Sequence, residues 1–555
     1  MGRLGSIAAA ARQAASDKAF EVRVLREAGI VEPLWPDKAL KIGSTFLRWG
    51  ASPATGVATA AIHHPDATAL VDERGSLTWE QLHRRTNALA DSFARIGIGY
   101  GDGVGIMCRN HRGFIEATLA AAKLGAAALY LNTMFAGPQL VEVTRREGPK
   151  ALVYDEEFGE LLDGVDEGVR RIVAWTDGAA EAPTLDSLIA AGDEVDRKPP
   201  PDKPRFVILT SGTTGTPKGA QRSSPEGLGA VAALLDRIPY RSRETMTIAA
   251  PLFHSWGFLH FVMSLPTAAT MVLRRRFDPE DTLLAVQENR AQVLAVVPVM
   301  LQRILQLPAE TLDRYDLSSL RITALSGSAL PGELALAWMD RFGDNIYNLY
   351  GSTEVSWGAI ATPQELRAAP GTAGRPPRGT VVRLYDEAGR EVPRGEVGRI
   401  FVGNEMSFEG YTGGGGKDEI DGLLSSGDVG HFDSGGRLFI DGRDDEMIVS
   451  GGENVFPREV EDLLSDHDAV EEVAVIGVED EQFGQRLKAF VVLAGEVEVS
   501  AEDLQAHVKA HLAAYKAPRE VEFMPELPRN ATGKVLKKDL RKLDRTADSD
   551  SRTPG

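Results

Sequence analysis

Cysteine is almost absent from this chain, whose 555 residues include a single one, Cys108. One thiol excludes a disulfide framework and a cysteine-rich zinc site, and it fits a reducing compartment. The surrounding stretch GVGIMCRN is typical of the end of a strand. We therefore expect Cys108 to be a packed thiol.

Long hydrophobic runs are also missing. The stretch FLHFVMSLPTAATMVL comes closest to the length of a membrane span, but His260 and Pro266 interrupt it. The N-terminal segment lacks the apolar core of a signal peptide. Gly2 and Ser6 fit a myristoylation pattern, which fixes so few positions that we attribute the match to chance. We expect a cytoplasmic protein without a transmembrane segment, and we leave weak peripheral membrane contact open.

The chain also lacks an excess of positive charge, because it contains 61 Lys and Arg but 80 Asp and Glu, which gives a net charge of −19. Such a chain repels nucleic-acid backbones and anionic headgroups, so we expect no nucleic-acid partner. Any phosphate ligand must be met by local cationic groups. The length exceeds that of one hydrophobic core and predicts two or more domains.

Short apolar strands alternate with helical segments from about residue 60 onward. Thr78 and Gln81 form a capping box, and the helix that follows carries Leu82, Leu89 and Phe93 on one face. VGIMC, AAALYL and KALVY are typical of buried strands. This alternation indicates α/β subdomains with parallel sheets covered on both faces. In such sheets ligands bind beyond the carboxyl ends of the strands.

The pattern changes after about residue 440, where VEEVAVIGVE and LKAFVVL predict strands and Ser500 caps a helix. We predict an α/β fold with a large N-terminal body of parallel-sheet subdomains and a small, mobile α+β C-terminal domain. The predicted divisions are an N-terminal extension (1–55), the large domain (56–441), a hinge (442–445), the small domain (446–545) and a disordered tail (546–555).

The segment ILTSGTTGTPKGA follows the apolar run RFVIL and combines hydroxyls, glycines and one lysine. It is not a Walker A loop, because Pro217 stands where that pattern needs glycine. Its chemistry is similar, since small residues let backbone N–H groups approach phosphate oxygens and a lysine adds charge. A flexible surface loop is the alternative. The predicted nucleotide-binding residues here are Thr210, Ser211, Gly212, Thr213, Thr214, Gly215 and Lys218.

TSGTTGTPKG resembles the signature of the adenylate-forming (ANL) superfamily, which contains acyl-CoA synthetases, adenylation domains of peptide synthetases and beetle luciferases. Further motifs follow in the family's order, and the resemblance spans roughly residues 60 to 545. These motifs are SGSAL (326–330), YGSTE (350–354), SGDVG (426–430), GRDDEMIVSGGENVFPREVE (442–461) and NATGKV (530–535).

The resemblance implies roles for individual residues. Glu354 carries Mg²⁺ and Thr353 contacts the α-phosphate; Asp428 accepts the ribose hydroxyls. Lys534 binds the carboxylate and the α-phosphate during adenylation. The other implied residues are Gly327, Ser328, Ala329, Tyr350 and Gly351 at the adenine, Arg443 at the ribose, Asp445 at the hinge, and Gly451 and Gly452 on the CoA-facing surface.

The segment PLFHSWGFLHFV (251–262) matches the stretch that lines the acyl site in relatives. His254 stands at the family's catalytic histidine, and Trp256 and Phe258 are candidates for the wall of an apolar tunnel. Ordinary core packing is the alternative for both aromatic residues. The segment offers no carboxylate for an amino group, which argues against an amino acid substrate.

The resemblance implies an ATP-dependent fatty-acid–CoA ligase. It would form an acyl-AMP from ATP and a medium- to long-chain fatty acid with Mg²⁺, then transfer the acyl group to CoA, releasing AMP and pyrophosphate. A CoA ligase for aryl or cyclic acids and a non-catalytic nucleotide-binding protein are the alternatives, and a homodimer is left open.

Two stretches depart from the family pattern. GGGGKDEIDGLLS stands where the family has an aromatic-rich GWF. The extension carries LKIGSTFLRWG (40–50), an amphipathic patch that we expect to pack on the body; contact with a membrane surface is the alternative.

Overall fold

The alternating apolar segments form strands and the amphipathic segments between them form helices in the computed structural model of this chain. The structure describes residues 2–202, 204–210, 218–222, 227–406, 408–412, 416–446, 448–450, 453–480, 484–495, 497–530 and 533–551.

The helices are α1 (Gly2–Glu27), α2 (Pro36–Trp49), α3 (Pro53–His63), α4 (Trp79–Arg95), α5 (Arg112–Leu124), α6 (Gly137–Glu147), α7 (Leu185–Ala191), α8 (Gly229–Arg237), α9 (Ser255–Thr267), α10 (Pro279–Glu288), α11 (Pro298–Leu305), α12 (Ala309–Leu312), α13 (Gly332–Phe342), α14 (Pro363–Ala368), α15 (Pro457–Ser465), α16 (Ala501–His511) and α17 (Lys537–Ser551). Short 3₁₀ turns occupy Glu156–Leu162, Asp444–Glu446 and Ala514–Lys516.

The strands of the N-terminal half are β1 (Thr68–Asp72), β2 (Gly75–Thr78), β3 (Gly103–Met107), β4 (Ala127–Tyr130), β5 (Ala151–Asp155), β6 (Arg170–Trp175), β7 (Phe206–Thr210), β8 (Lys218–Arg222), β9 (Thr245–Ile248), β10 (Thr270–Leu273) and β11 (Val293–Val296). Those of the C-terminal half are β12 (Ile322–Leu325), β13 (Ile346–Tyr350), β14 (Ala359–Ala361), β15 (Val381–Tyr385), β16 (Gly398–Gly403), β17 (Phe408–Tyr411), β18 (Glu419–Ile420), β19 (Leu423–Phe432), β20 (Leu438–Arg443), β21 (Ile448–Ser450), β22 (Glu453–Val455), β23 (Val470–Asp480), β24 (Gly484–Leu493) and β25 (Glu520–Phe523).

Two largely parallel sheets form the large body. The first sheet has the order β17-β8-β7-β4-β3-β5-β6, and the second has the order β14-β13-β12-β11-β9-β10-β1-β2. Strands β7, β4, β3, β5 and β6 run parallel in the first sheet, as do β13, β12, β11, β9, β10 and β1 in the second. The predicted parallel-sheet class is confirmed.

Helix α5 lies in the core of this body. All its residues except Leu124 are buried, although Arg112, Glu116 and Lys123 form a charged stripe along one side of the helix. Its three buried charges all have partners. Arg112 donates to Asp72 of β1 at 2.6 Å and Glu116 accepts from Arg85 of α4 at 2.5 Å. Lys123 donates to Thr86 and Asn87 of α4 at 2.7 and 2.6 Å. Pairing of this kind offsets the cost of burying charge. Cys108 is fully buried nearby, which confirms the packed thiol.

The antiparallel third sheet (β15-β16-β19-β18, with β20 beside β19) precedes a separate C-terminal sheet (β22-β21-β24-β23, with β25 beside β24). Helices α15 and α16 pack on the latter around their own hydrophobic cluster, which includes Val460, Leu464, Leu504 and Val508. Ser500 caps α16 as predicted, since its hydroxyl accepts from the backbone N–H of Asp503 at 3.1 Å. The separate small α+β domain is confirmed.

The C-terminal tail differs from its prediction. Helix α17 extends to Ser551, so residues 546–551, expected to be disordered, are helical in this structure. The helix is anchored at its start by Leu540, which is fully buried against the small domain. The polar composition of residues 546–551 does not indicate that a buried leucine earlier in the chain anchors the helix.

The N-terminal extension forms helices α1 and α2. One face of α2 packs on the body as predicted: Trp49 is buried in a cluster with Ala54 and Ala58 of α3. Its opposite face is exposed. Among the described residues, no helix is both long enough and apolar enough to cross a bilayer.

Candidate active site

The predicted site segments follow the carboxyl ends of parallel strands. Residues 326–330 follow β12, residues 351–354 follow β13, and residues 249–254 connect β9 to α9. All three connections leave the same edge of the second sheet, which is where ligands bind in open parallel sheets.

A cavity of about 1330 Å³ opens at this edge. It is lined by residues from the second sheet, the third sheet and the small domain. The predicted site residues that line it are His254, Trp256, Phe258, Gly327, Ser328, Ala329, Tyr350, Gly351, Thr353, Glu354, Asp428, Arg443 and Lys534. Segments spread over 280 residues of sequence therefore meet around one space.

Asp428 lies where β13 meets the third sheet. Its carboxylate accepts from the Tyr350 hydroxyl at 2.6 Å and from the Arg443 guanidinium at 3.2 Å. Asp428 and Arg443 are paired residues of β19 and β20, so the sheet register sets their proximity. Burial, with the neighbouring Asp428 carboxylate, raises the pKa of Tyr350 well above its usual range. Tyr350 thus stays a neutral hydroxyl donor that orients the carboxylate.

Glu354 is a nearly buried carboxylate that faces the cavity. The Tyr411 hydroxyl donates to one of its oxygens at 2.7 Å and the Ser352 hydroxyl to the other at 2.9 Å. Both donors are neutral, and within the described residues Glu354 makes no ion pair. Buried carboxylates are normally paired with a cation or bind a metal ion. Each oxygen keeps a lone pair, so this carboxylate fits a hard cation such as Mg²⁺.

Gly351 makes the turn before Glu354 possible. A Cβ atom at this position would lie 2.0 Å from the carbonyl oxygen of Ser356, because the loop folds back and Gly358 N–H bonds to Tyr350 C=O at 2.8 Å. Only glycine fits so close an approach of two backbone segments.

Thr353 and His254 both lie at the start of α9. The Thr353 hydroxyl lies 3.3 Å from the Ser255 hydroxyl. His254 immediately precedes α9, and desolvation lowers its pKa to about 4. The imidazole is therefore neutral near neutral pH and can donate or accept one hydrogen bond without adding charge.

Helix α9 supplies the apolar part of the cavity wall. Trp256 is buried and its indole N–H donates to the Val296 carbonyl at 3.0 Å, which fixes the ring at the end of β11. Phe258 is half-buried and its ring centre lies 4.9 Å from that of Tyr130 and 5.4 Å from that of Phe206. Both aromatic residues pack against core residues and also line the cavity. Core packing and a place in the wall of an apolar tunnel are therefore compatible.

The small domain brings Lys534 to the cavity. A tight turn presents it: Lys534 N–H donates to the Asn530 side chain and Asn530 N–H to the Lys534 carbonyl, both at 2.9 Å. Gly533 in this turn has φ +76° and touches α11 of the large domain. A second contact joins the same helix region to β23, because Gln306 donates to Glu471 at 2.9 Å.

Gly533→Ala is expected to lower adenylation by about a hundredfold, because a displacement of about 1 Å at a reacting group has that effect. The new Cβ would lie 2.1 Å from Cγ1 of Val299, so the small domain cannot dock as it does here. Acid-dependent exchange of labelled pyrophosphate into ATP measures the effect.

The matched control is Gly495→Ala in the same domain, where φ is +66° and nothing lies within 4 Å of the added Cβ. It carries the same backbone strain, about 1 kcal/mol, without the clash. Val299→Ala combined with Gly533→Ala should restore most of the exchange. Equal loss in both glycine variants would show that strain, not docking, is responsible.

Some of the predicted site residues lie outside the part of the chain that the structure describes. Residues 211–217, Gly451 and Gly452 lie outside the described residues, and so do the side chains of Thr210, Lys218 and Asp445. The backbone positions of the last three are at the end of β7, the start of β8 and the 3₁₀ turn Asp444–Glu446. Arg399 anchors that turn to the third sheet through Asp444 at 2.8 Å.

Sequence reasoning missed three contributors. Tyr411, which holds Glu354, lies 57 residues away and carries no motif of its own. Lys417, in the glycine-rich stretch that departs from the family pattern, also lines the cavity. The third is the extension, whose Ile30, Leu34 and Ile42 line the apolar part of the cavity. The apolar residues of LKIGSTFLRWG were the available signal for it.

Comparison with known protein families identifies the family to which this chain belongs. Residues 57–412 match the family model described as AMP-binding enzyme, and residues 459–534 match AMP-binding enzyme C-terminal domain. The chain belongs to this family and thus to the adenylate-forming superfamily.

Individual relatives are similar over most of their length. A feruloyl-CoA synthase from Amycolatopsis sp is 34% identical over 86% of this chain and 96% of the relative. A long-chain-fatty-acid–CoA ligase from Mycobacterium tuberculosis is 30% identical over 84% of this chain and 92% of the relative. The crystal structure of an anthranilate CoA ligase in complex with anthranoyl-AMP has a TM-score of 0.82 at 25% identity, covering 90% of this chain and 98% of that one.

Proposed function

We propose that this acyl/aryl-CoA ligase activates a medium- to long-chain fatty acid as its acyl-AMP and transfers the acyl group to CoA. The observation that carries the proposal is the cavity in which Glu354, Asp428 and Lys534 meet at one end and apolar side chains continue from there. The relatives include a feruloyl-CoA synthase and fatty-acid–CoA ligases, which supports the CoA ligase class. Because these relatives act on different acids, we infer the acid substrate from the lining of the cavity.

The polar end suits attack of a carboxylate oxygen on the α-phosphorus of ATP, with pyrophosphate leaving. Asp428 and Arg443 would hold the ribose, and the Thr353 hydroxyl would donate to the α-phosphate. Lys534 would place its ammonium where negative charge gathers in the transition state. Mg²⁺ bound by Glu354 would neutralise charge on the phosphate oxygens. In the second step the CoA thiol attacks the acyl carbon and AMP leaves; no protein nucleophile is needed.

The apolar end suits a long chain. Its walls follow α9 from Trp256 through Leu259 and Val262 to Leu265, a helix about 20 Å long. Side chains of the extension lie beyond it. Apolar surface of this length recognises a hydrocarbon through burial, at about 0.8 kcal/mol for each methylene group.

An aryl acid is the second candidate. The rings of Phe206 and Phe258 line the cavity with the buried ring of Tyr130 packed against both, and an aromatic acid would stack on this cluster. The 34% identity to a feruloyl-CoA synthase supports this alternative.

A panel of acids tests the proposal with purified protein, ATP, Mg²⁺ and CoA, with loss of the free thiol as readout. Saturated acids of increasing length are compared with ferulate, anthranilate and indoleacetate. We expect kcat/KM to rise with chain length through the medium range. A higher kcat/KM for an aryl acid than for every fatty acid in the panel would show that the substrate is an aryl acid. Failure of pyrophosphate exchange with every acid would favour a non-catalytic nucleotide-binding protein.

We also propose that the small domain, 446–545, rotates about a hinge at 442–445 between the two steps. Asp445→Pro fixes φ and removes an N–H within this hinge. Adenylation should be preserved, while transfer to CoA should slow by about tenfold or more, because the second orientation becomes harder to reach. Pyrophosphate exchange and single-turnover thioester formation measure the two steps, with Asp445→Ala as control. Unchanged transfer in Asp445→Pro would exclude rotation at this residue.

A further inference from the structure

Helix α2 presents apolar side chains to solvent. Leu40 and Leu47 lie two turns apart on its outward face and are 76% and 91% exposed. Trp35, directly before the helix, is 77% exposed. A helix on a protein surface normally turns such residues toward the core. The inward face of α2 is already occupied, since Ile42 lines the cavity and Trp49 is buried.

The exposed face adjoins an opening of the cavity. Phe46 and Val31 line the cavity, and each is nearly half exposed. Side chains that touch both the interior space and solvent mark a mouth. We call the exposed apolar residues Trp35, Leu40, Phe46 and Leu47, which belong to α2 or directly precede it, the collar of this mouth.

Charge borders the collar on one side. Lys41 and Arg48 lie seven residues apart on the flank of α2 next to its outward face, and Asp37 lies in the first turn of the helix. Arg48 also donates to the Arg197 carbonyl at 3.3 Å, and the Lys38 ammonium donates to the His63 carbonyl at 3.0 Å. The whole chain is acidic, but charges more than about 10 Å away are largely screened at physiological ionic strength. Lysine and arginine stems can lie along apolar surface while their heads reach phosphate groups.

We propose that the collar docks on a lipid bilayer that carries anionic headgroups, so that the cavity opens onto the membrane. Leucines and a tryptophan beside basic residues are the composition of a helix that lies in the membrane interface. The docking itself is independent of the proposed function; the consequence that a lipid-partitioned acid enters directly rests on that function.

Tryptophan fluorescence reports on the collar selectively. Trp35 is exposed, whereas Trp49, Trp79, Trp175, Trp256, Trp338 and Trp357 are each at most 8% exposed. Adding vesicles of phosphatidylcholine and phosphatidylglycerol to the full chain should shift the emission to the blue and protect it from iodide quenching. Trp35→Phe should bind the vesicles without either change.

Flotation with the same vesicles tests the leucines. Leu40→Ser/Leu47→Ser should reduce the bound fraction by about tenfold, because two side chains no longer enter the apolar layer. The matched control is Val381→Ser/Val397→Ser, which removes two valines, each 46% exposed, at the start of β15 and directly before β16, and should bind like the parent. Activity on a short, water-soluble acid should remain at the parent level in both variants, which separates docking from catalysis.

Three results would overturn the proposal. The first is no flotation of the parent chain with these vesicles. The second is flotation that Leu40→Ser/Leu47→Ser leaves unchanged. The third is a dimer in sedimentation velocity that this double variant dissociates, since a second copy would then cover the collar.

Discussion

Lys534→Ala is expected to reduce acyl-AMP formation by roughly 10²–10³-fold while leaving thioester formation from supplied acyl-AMP largely intact, since removing one preorganised charge partner of a transition state has an effect of this size. The lysine lines the cavity that also holds Glu354 and Asp428. Its charge matters when the carboxylate attacks phosphorus, and it is not needed when a thiol attacks an acyl carbon. Pyrophosphate exchange measures the first step, and release of AMP from synthetic acyl-AMP measures the second.

Lys538→Ala is the matched control, because Lys538 is an exposed lysine of α17 four residues further on and does not line the cavity. It should retain parent rates in both steps. Lys534→Arg keeps a positive charge but changes its reach and should recover part of the first step. If Lys534→Ala lost both half-reactions to the same degree, its role in the first step would be contradicted.

The parts of the fold set by local pattern could be predicted from sequence. Periodicity and caps give the strands β3, β4 and β5 and the start of α16, because these depend on residues within a few positions of one another. The approach of the motifs to one cavity was also predictable, since the carboxyl ends of parallel strands share an edge.

Contacts between distant segments could not be predicted in the same way. The bond from Tyr411 to Glu354 joins an edge strand of the first sheet to a loop of the second, and it depends on how the two sheets pack. The outward orientation of Leu40 and Leu47 likewise depends on which face of α2 meets α3. An amphipathic pattern predicts that a helix has two faces, but not which one is buried when both carry apolar residues.

Glu354→Gln should lower adenylation by roughly 10²–10³-fold and raise the Mg²⁺ concentration needed for half-maximal exchange, because the amide keeps the size of the side chain but loses its charge. Glu354 accepts from the hydroxyls of Tyr411 and Ser352, so an amide oxygen can keep one of these bonds. The physical reason for the loss is that a hard divalent cation prefers a carboxylate oxygen.

Tyr411→Phe is the control that separates charge from orientation. It removes one hydrogen bond to Glu354 and leaves the carboxylate in place, so we expect a loss of about ten- to a hundredfold, the size of one hydrogen bond to a charged group. Its Mg²⁺ dependence should stay close to that of the parent, and Mn²⁺ binding in the presence of ATP, followed by electron paramagnetic resonance, gives a readout independent of turnover. An unaltered Mg²⁺ requirement in Glu354→Gln would show that this carboxylate does not bind the metal, and that the buried charge serves to orient Tyr411 and the loop instead.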